Sequence, residues 1–290
     1  MYKEKIDYKI IGNGKNILVI EVGIGNSYYD WYPLVEKLKK EFLIILYHRG
    51  GYGKSSLLEK ERTTRNIAKE LKNFLQSINI TEKFILLGHS FGGLCVQQYA
   101  KMYPNDLKAI VLLDSTSYDL IELENLNTPV INANVSIEKM IEYMNNSSIK
   151  NEEELKNENR NLFEKYKTYI TDDEMKDVID FYSNPSLYKV VANEFSNWIK
   201  DGEDIKSIVT SLNIPLKVIA RDSNVEIKNW INYDVPKEEA ILHEKKWREL
   251  QKELISLSSD SELIIANNSG HLIYREREEI IIECLEHLIK

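Results

Sequence analysis

Ser90 stands in the segment Gly88-His89-Ser90-Phe91-Gly92-Gly93. The apolar run Phe84-Ile85-Leu86-Leu87 precedes it, and a stretch without Gly or Pro, 94–103, follows and stops at Pro104. The first reads as a buried strand and the second as a helix. The chain must therefore turn from strand to helix within a few residues of Ser90. So tight a turn strains the residue at its apex and leaves no room for side chains where strand and helix approach. Gly88, Gly92 and Gly93 fall where that crowding is expected. The pattern is a G-x-S-x-G elbow, which lifts a serine hydroxyl clear of the backbone as a nucleophile requires.

A serine hydroxyl is a poor nucleophile at neutral pH and needs a base within hydrogen-bond reach. His271 is the candidate, because Ser269-Gly270-His271 follows the last apolar run, 263–266. An imidazole of ordinary pKa, about 6.5, both takes a proton and returns it. The base in turn needs a carboxylate that orients it and stabilises its charged form. Asp114 closes the apolar run 109–113 and Asp222 follows the run 216–220, so both compete for that place. His89 reads as packing beside the elbow, and His243 and His287 as helix-surface residues. No histidine falls in an H-E-x-x-H or similar ligand pattern, so neither a metal nor another cofactor is expected.

These residues need a frame that brings distant segments together. Residues 3–11 alternate loosely and predict an edge strand, turned by Gly12-Asn13-Gly14 into the buried run 17–20. A helical stretch from Trp31 to about Lys40 leads to a buried strand over 42–47. A helix follows over 63–77, with Ile67, Leu71, Phe74, Leu75 and Ile78 three and four apart. Strands then recur at 84–87, 109–113, 216–220 and 263–266, with helices at 237–257 and at the C-terminus. Buried strands alternating with helices predict a mostly parallel sheet covered on both faces. The rhythm breaks over 118–210. There Leu155, Leu162, Phe163, Tyr166 and Ile170 share one helical face, Met175, Val178, Ile179 and Tyr182 a second, and Leu187, Val190, Val191 and Trp198 a third. That stretch reads as an inserted helical cap.

Thirty-eight Lys and Arg against 46 Asp and Glu give a net charge of −8, which argues against nucleic acid or an anionic membrane as partner. Two cysteines, Cys95 and Cys284, are too few for a disulfide framework and read as small core residues. No signal peptide and no apolar run of about 18 residues is seen, so a cytoplasmic location is expected. The oligomeric state is left open.

Outside the cap, the sequence resembles the α/β-hydrolase family. The likeness rests on Glu21, Gly23 and Gly25 in an E-x-G-x-G loop with Trp31 downstream, the elbow at Ser90, and Ser269-Gly270-His271. It is also similar to a bacterial branch with a Y-D-R-x-G-x-G-x-S segment, here Tyr47-His48-Arg49-Gly50-Gly51-Tyr52-Gly53-Lys54-Ser55. A W-x-E-L-Q helix of that branch appears as Trp247-Arg248-Glu249-Leu250-Gln251. His48 stands where the branch has Asp, a change expected to bear on the sheet edge more than on chemistry.

The resemblance implies an α/β-hydrolase core over 1–117 and 211–290, with the cap over 118–210. It implies a triad of Ser90, His271 and an acid. The branch carries Gly where Asp222 stands and an acid like Asp114 on the earlier strand, so Asp114 is the implied acid and Asp222 the alternative. The implied oxyanion donors are the backbone N–H groups of Phe91 and Ile24, the latter following Gly23 as a residue follows the family's H-G pair. The function implied is a serine hydrolase that cleaves a small or medium carboxylic ester, thioester or lactone through an acyl-enzyme. A proline-type aminopeptidase and a non-catalytic ligand-binding protein on the same fold are the alternatives. Branches with an Asp nucleophile are disfavoured by Ser90.

Overall fold

The computed structural model of the chain describes residues 5–56 and 61–290. Its centre is a seven-stranded sheet made of β1 (Asp7–Ile11), β2 (Asn16–Glu21), β3 (Phe42–His48), β4 (Phe84–His89), β5 (Leu107–Leu113), β6 (Leu216–Arg221) and β7 (Ser261–Ala266). The spatial order is β1-β3-β2-β4-β5-β6-β7. Only β1 runs antiparallel to its neighbour; every other pair is parallel. The central strands lack polar alternation because both faces are covered. Leu18, Ile20, Ile85, Leu87 and Val111 point into one core, and Val19, Leu86, Ile110 and Leu112 into the other. At the edge, β1 alternates and leaves Tyr8 and Ile10 exposed. Residues 3 and 4 of the predicted first strand lie outside the described residues.

Helices α1 (Tyr32–Leu38), α2 (Thr64–Ser77) and α3 (Phe91–Met102) follow β2, β3 and β4. The Thr63 hydroxyl accepts the Asn66 N–H and starts α2 where the apolar periodicity begins. Between β5 and β6 lie only helices: α4 (Ile121–Glu124), α5 (Pro129–Val135), α6 (Ile137–Ser148), α7 (Glu152–Glu158), α8 (Arg160–Tyr166), α9 (Asp172–Ser183) and the 23-residue α10 (Pro185–Ser207). The three predicted helical faces fall on α7–α8, α9 and α10. The predicted faces did not include α4–α6, whose apolar signal is thin: α5 buries only Ile131, and α6 buries no apolar residue completely.

The chain closes with α11 (Ser223–Asn232), α12 (Lys237–Glu253), α13 (Ile273–Glu276) and α14 (Glu278–Ile289). The helix predicted over 237–257 is α-helical to Glu253 and tightens to a 3₁₀ turn over Leu254–Leu257. No residue of α11 is buried, which is why no apolar stripe announces it. Because the strands are parallel, β2, β4, β5, β6 and β7 all end on one edge of the sheet. Loops carrying residues far apart in sequence meet there.

Candidate active site

The turn from β4 into α3 has the strain its sequence predicts. Ser90 sits at φ 55° and ψ −126°, outside the regions a residue with a Cβ prefers. The conformation is held from both sides. Its N–H donates to the Leu113 carbonyl (3.2 Å), and its own carbonyl accepts the N–H groups of Gly93 (2.9 Å) and Thr116 (3.0 Å). A Cβ on Gly92 would lie 2.3 Å from the Glu21 carbonyl, so only glycine lets α3 start this close to β2.

His271 follows β7 on a loop fixed by acidic side chains. Its N–H donates to Glu226 of α11 (2.9 Å), while the Gly270 N–H (2.6 Å) and the Ser269 hydroxyl (3.0 Å) donate to Glu276 of α13. The His271 carbonyl accepts from Nε2 of His89 (3.0 Å). That contact gives the buried His89 a defined tautomer, and burial together with the neighbouring His271 brings its pKa down to about 3. The His271 Nδ1 lies 2.6 Å from Oδ2 of Asp114. The imidazole side chain is 34% exposed, and among the described residues its Nε2 has no hydrogen-bond partner. No hydrogen bond to the Ser90 hydroxyl is formed in this conformation; such contacts often tighten only when substrate binds.

Of the two competing carboxylates, the structure puts Asp114 against His271 and Asp222 elsewhere. Asp114 follows β5 with φ 39° and is fully buried. Besides His271 it accepts the Arg221 N–H (3.2 Å), an Arg221 guanidinium N–H (3.0 Å) and the Trp247 indole N–H (2.9 Å). Burial works to raise its pKa, but the charge of Arg221 and the bonds from His271 and Trp247 outweigh it. They hold the carboxyl well below the usual carboxylate range. Arg221 is itself gripped by Glu244 (2.6 and 3.1 Å) and lies 4.2 Å over the Trp247 ring. Asp222 caps α11, accepting the N–H groups of Asn224 (2.9 Å) and Asn268 (3.1 Å).

The loop after β2 runs beside the elbow. A Cβ built on Gly23 would be 3.1 Å from Nδ1 of His89 and 3.6 Å from Cβ of Ser90. Beneath the loop lies Arg49, fully buried. It donates to Glu21 (2.7 Å), to both oxygens of Glu194 on α10 (3.0 and 3.2 Å), and to the carbonyls of Val22 (2.7 Å) and Gly23 (3.3 Å). The Tyr52 hydroxyl donates to Glu194 (2.5 Å) and accepts from Arg49 (3.1 Å) and from the Gly25 N–H (2.8 Å). Burial pushes Glu21 up to about 7 against the pull of Arg49. Among the described residues the N–H of Ile24 makes no hydrogen bond within the protein. The Phe91 N–H opens α3, where first-turn donors lack helical partners.

The helices between β5 and β6 touch this region at several points. Trp198 stacks on Phe91 with ring centroids 5.5 Å apart, and Val191 lies 3.6 Å from where a Gly25 Cβ would sit. Tyr182 accepts the Ser27 N–H (3.2 Å), and Tyr166 donates to Asp30 (2.6 Å). Of the remaining tyrosines of this stretch, Tyr143 is exposed. His48 ties the edge strand to this loop: its Nδ1 faces Asp7 (2.9 Å), its Nε2 accepts the Tyr28 N–H (3.2 Å), and its ring stacks on Tyr28.

Sequence reasoning missed Arg221, Glu244 and Glu194, whose partners lie far along the chain. The W-x-E-L-Q motif was a usable signal for part of this: Trp247 reaches Asp114, and the Gln251 amide donates to the Ser115 carbonyl (2.7 Å). Among the described residues, no three His, Cys, Asp or Glu are grouped to hold a metal ion, and no helix is long and apolar enough to cross a membrane.

Comparison with known proteins agrees with this frame. Residues 16–131 match a family model described as the alpha/beta hydrolase fold. The uncharacterized protein YqjL of Bacillus subtilis is 23% identical over 271 residues, 93% of this chain and 82% of that protein. Other curated relatives are matched over only about a third of their own length. Among solved structures, a Pseudomonas aeruginosa protein assigned as an epoxide hydrolase superposes with a TM-score of 0.68 at 13% identity, over 98% of this chain and 91% of its own. A thermophilic esterase from Thermogutta terrifontis superposes with a TM-score of 0.59 at 17% identity, over 98% and 93%. The strand order, the elbow and the match over residues 16–131 together show that the chain has the α/β-hydrolase fold.

Proposed function

We propose that the chain is a serine hydrolase that cleaves a small or medium carboxylic ester, thioester or lactone. The observation that carries this reading is the 2.6 Å contact between His271 Nδ1 and a buried, ionised Asp114, on the sheet edge where the strained Ser90 turn projects. In this reading Ser90 Oγ attacks the acyl carbonyl carbon while Nε2 of His271 takes its proton, and Asp114 stabilises the imidazolium. The carbonyl oxygen becomes an oxyanion that accepts the N–H groups of Ile24 and Phe91. His271 returns the proton to the leaving alcohol or thiol as the carbon–oxygen or carbon–sulfur bond breaks, which leaves an ester on Ser90. Water, deprotonated by His271, then attacks that ester and frees the acid and the serine. The helices of 118–210 act as a cap, with Val191 and Trp198 against the two oxyanion segments.

A proline-type aminopeptidase would need an open carboxylate for a free amino terminus. Glu194, the buried α10 carboxylate that reaches the loop after β2, is instead paired with Arg49 and hydrogen-bonded by Tyr52, which favours an uncharged acyl substrate.

The test is labelling of the purified protein by a fluorophosphonate, with turnover of p-nitrophenyl esters of increasing chain length. Ser90→Ala is expected to abolish labelling and to cut turnover by at least about 10³-fold. A wild-type protein that neither labels nor turns over would overturn the reading in favour of a ligand-binding protein.

A further inference from the structure

Arg49 and Glu194 do more than fill space with a buried ion pair. The Gly23 carbonyl and the Ile24 N–H belong to one peptide unit, which is planar and trans. In a trans unit the carbonyl and the N–H point in opposite directions. Whatever grips the Gly23 oxygen therefore decides where the Ile24 N–H aims. That grip comes from Arg49, which takes the Gly23 carbonyl at 3.3 Å and the preceding Val22 carbonyl at 2.7 Å, with the Asn26 N–H as a second, longer donor to Gly23 at 3.4 Å. Two successive carbonyls turned toward one guanidinium leave the Ile24 N–H facing the other side of the loop. The next amide, Gly25 N–H, is held by the Tyr52 hydroxyl at 2.8 Å. Tyr52 and Arg49 are both clamped by Glu194, which projects from the inserted helix α10.

We infer that Arg49, set by Glu194 of the inserted helix, is the positioning residue for the Ile24 oxyanion donor, so that seating of the helical insertion and assembly of the oxyanion site are one event. The inference rests on the serine-hydrolase reading above. Physical chemistry supports it in two ways. A guanidinium fork binds two acceptors in fixed directions, which a lysine ammonium cannot reproduce. A positive charge on the carbonyl side also polarises the peptide and strengthens the donor on its far side, where a developing oxyanion gains most from preorganised dipoles. A purely structural ion pair would need only a carboxylate; it would not need Val22 and Gly23 presented to it.

The experiment compares Arg49→Lys and Glu194→Gln with Glu70→Gln in the full chain. Glu70 belongs to the neighbouring buried pair with Arg62 (2.9 Å) and binds the Gly50 N–H (2.7 Å), but does not touch the Val22–Gly23 carbonyls. Fluorophosphonate labelling rate, kcat and KM on one p-nitrophenyl ester, and Tm are measured for each. Arg49→Lys and Glu194→Gln are expected to lower kcat and the labelling rate about 10- to 100-fold while KM stays within about threefold. Glu70→Gln is expected to lower Tm with kcat within about twofold of wild type. If Arg49→Lys and Glu194→Gln lose Tm but keep wild-type kcat and labelling, the inference is wrong and the hydrolase reading stands. If the wild-type protein itself fails to label or turn over, the hydrolase reading falls and takes this inference with it.

Discussion

Four N–H donors converge on the Asp114 carboxylate: the His271 imidazole, the Arg221 backbone and guanidinium, and the Trp247 indole. Asparagine at this position keeps one acceptor oxygen but turns an NH₂ toward a group that is itself a donor. If that group is His271, the imidazole takes the wrong tautomer for a base. Asp114→Asn is therefore expected to lower kcat by about 10³- to 10⁴-fold on p-nitrophenyl esters. Asp222→Asn is expected to leave kcat within about threefold, since Asn also caps a helix. A large loss in Asp222→Asn with an intact Asp114→Asn would reverse the assignment. Part of this geometry was visible in the chain: the turn at Ser90 and the loop at His271 announce themselves through local glycine and strand context. Asp114 and Asp222 do not separate that way, because both end buried strands. What separates them is Arg221, Trp247 and the turn at Asn268, contacts made only after folding. Arg49 and Glu194 are 145 positions apart, and no local pattern could have paired them.

Helix α12 shows how one element supports the site without entering it. Its Trp247, Glu244 and Gln251 reach Asp114, Arg221 and the Ser115 carbonyl from successive turns of one face. This explains why a W-x-E-L-Q signature lies on a helix far from the elbow. Trp247→Phe keeps an aromatic face under the Arg221 guanidinium but removes the N–H on Asp114. The lost bond to a charged acceptor is expected to cost about 1–3 kcal/mol in urea unfolding. It is also expected to slow kcat several-fold through looser placement of Asp114, with KM unchanged. Unchanged unfolding and kinetics would mean that the indole N–H does not hold the acid. The buried strands were legible because doubly covered strands are runs of apolar residues. Helices α4–α6 and α11 were not, because they cover other helices or loops with few buried side chains and so carry no strong stripe.

At the scale of the whole molecule, the helices between β5 and β6 meet the helices that flank the sheet where α10 passes the start of α2. Asp201 of α10 accepts the Thr64 N–H at 3.1 Å through one oxygen, and its other oxygen is buried without a partner. Burial pushes its carboxyl up to about 7, against an ordinary value of 3.8 in the unfolded chain. Between those two pH values the folded protein holds a proton that the unfolded chain has released. Stability then falls as pH rises through the window and is lowest, for this group, above 7. The full effect is on the order of 4 kcal/mol. Glu21 acts in the same direction, and Asp114 in the opposite one, its stabilisation being lost only as pH falls through the acid range. A variant comparison isolates Asp201 from both. Asparagine keeps an oxygen for the Thr64 N–H and supplies an uncharged group in place of the buried oxygen. Urea midpoints of wild type and Asp201→Asn should therefore differ little at pH 4 and diverge by pH 8, where the variant is the more stable. Parallel pH dependence in the two proteins would show that Asp201 is ionised and solvated in the folded state, and that the joint between α10 and α2 is open to water.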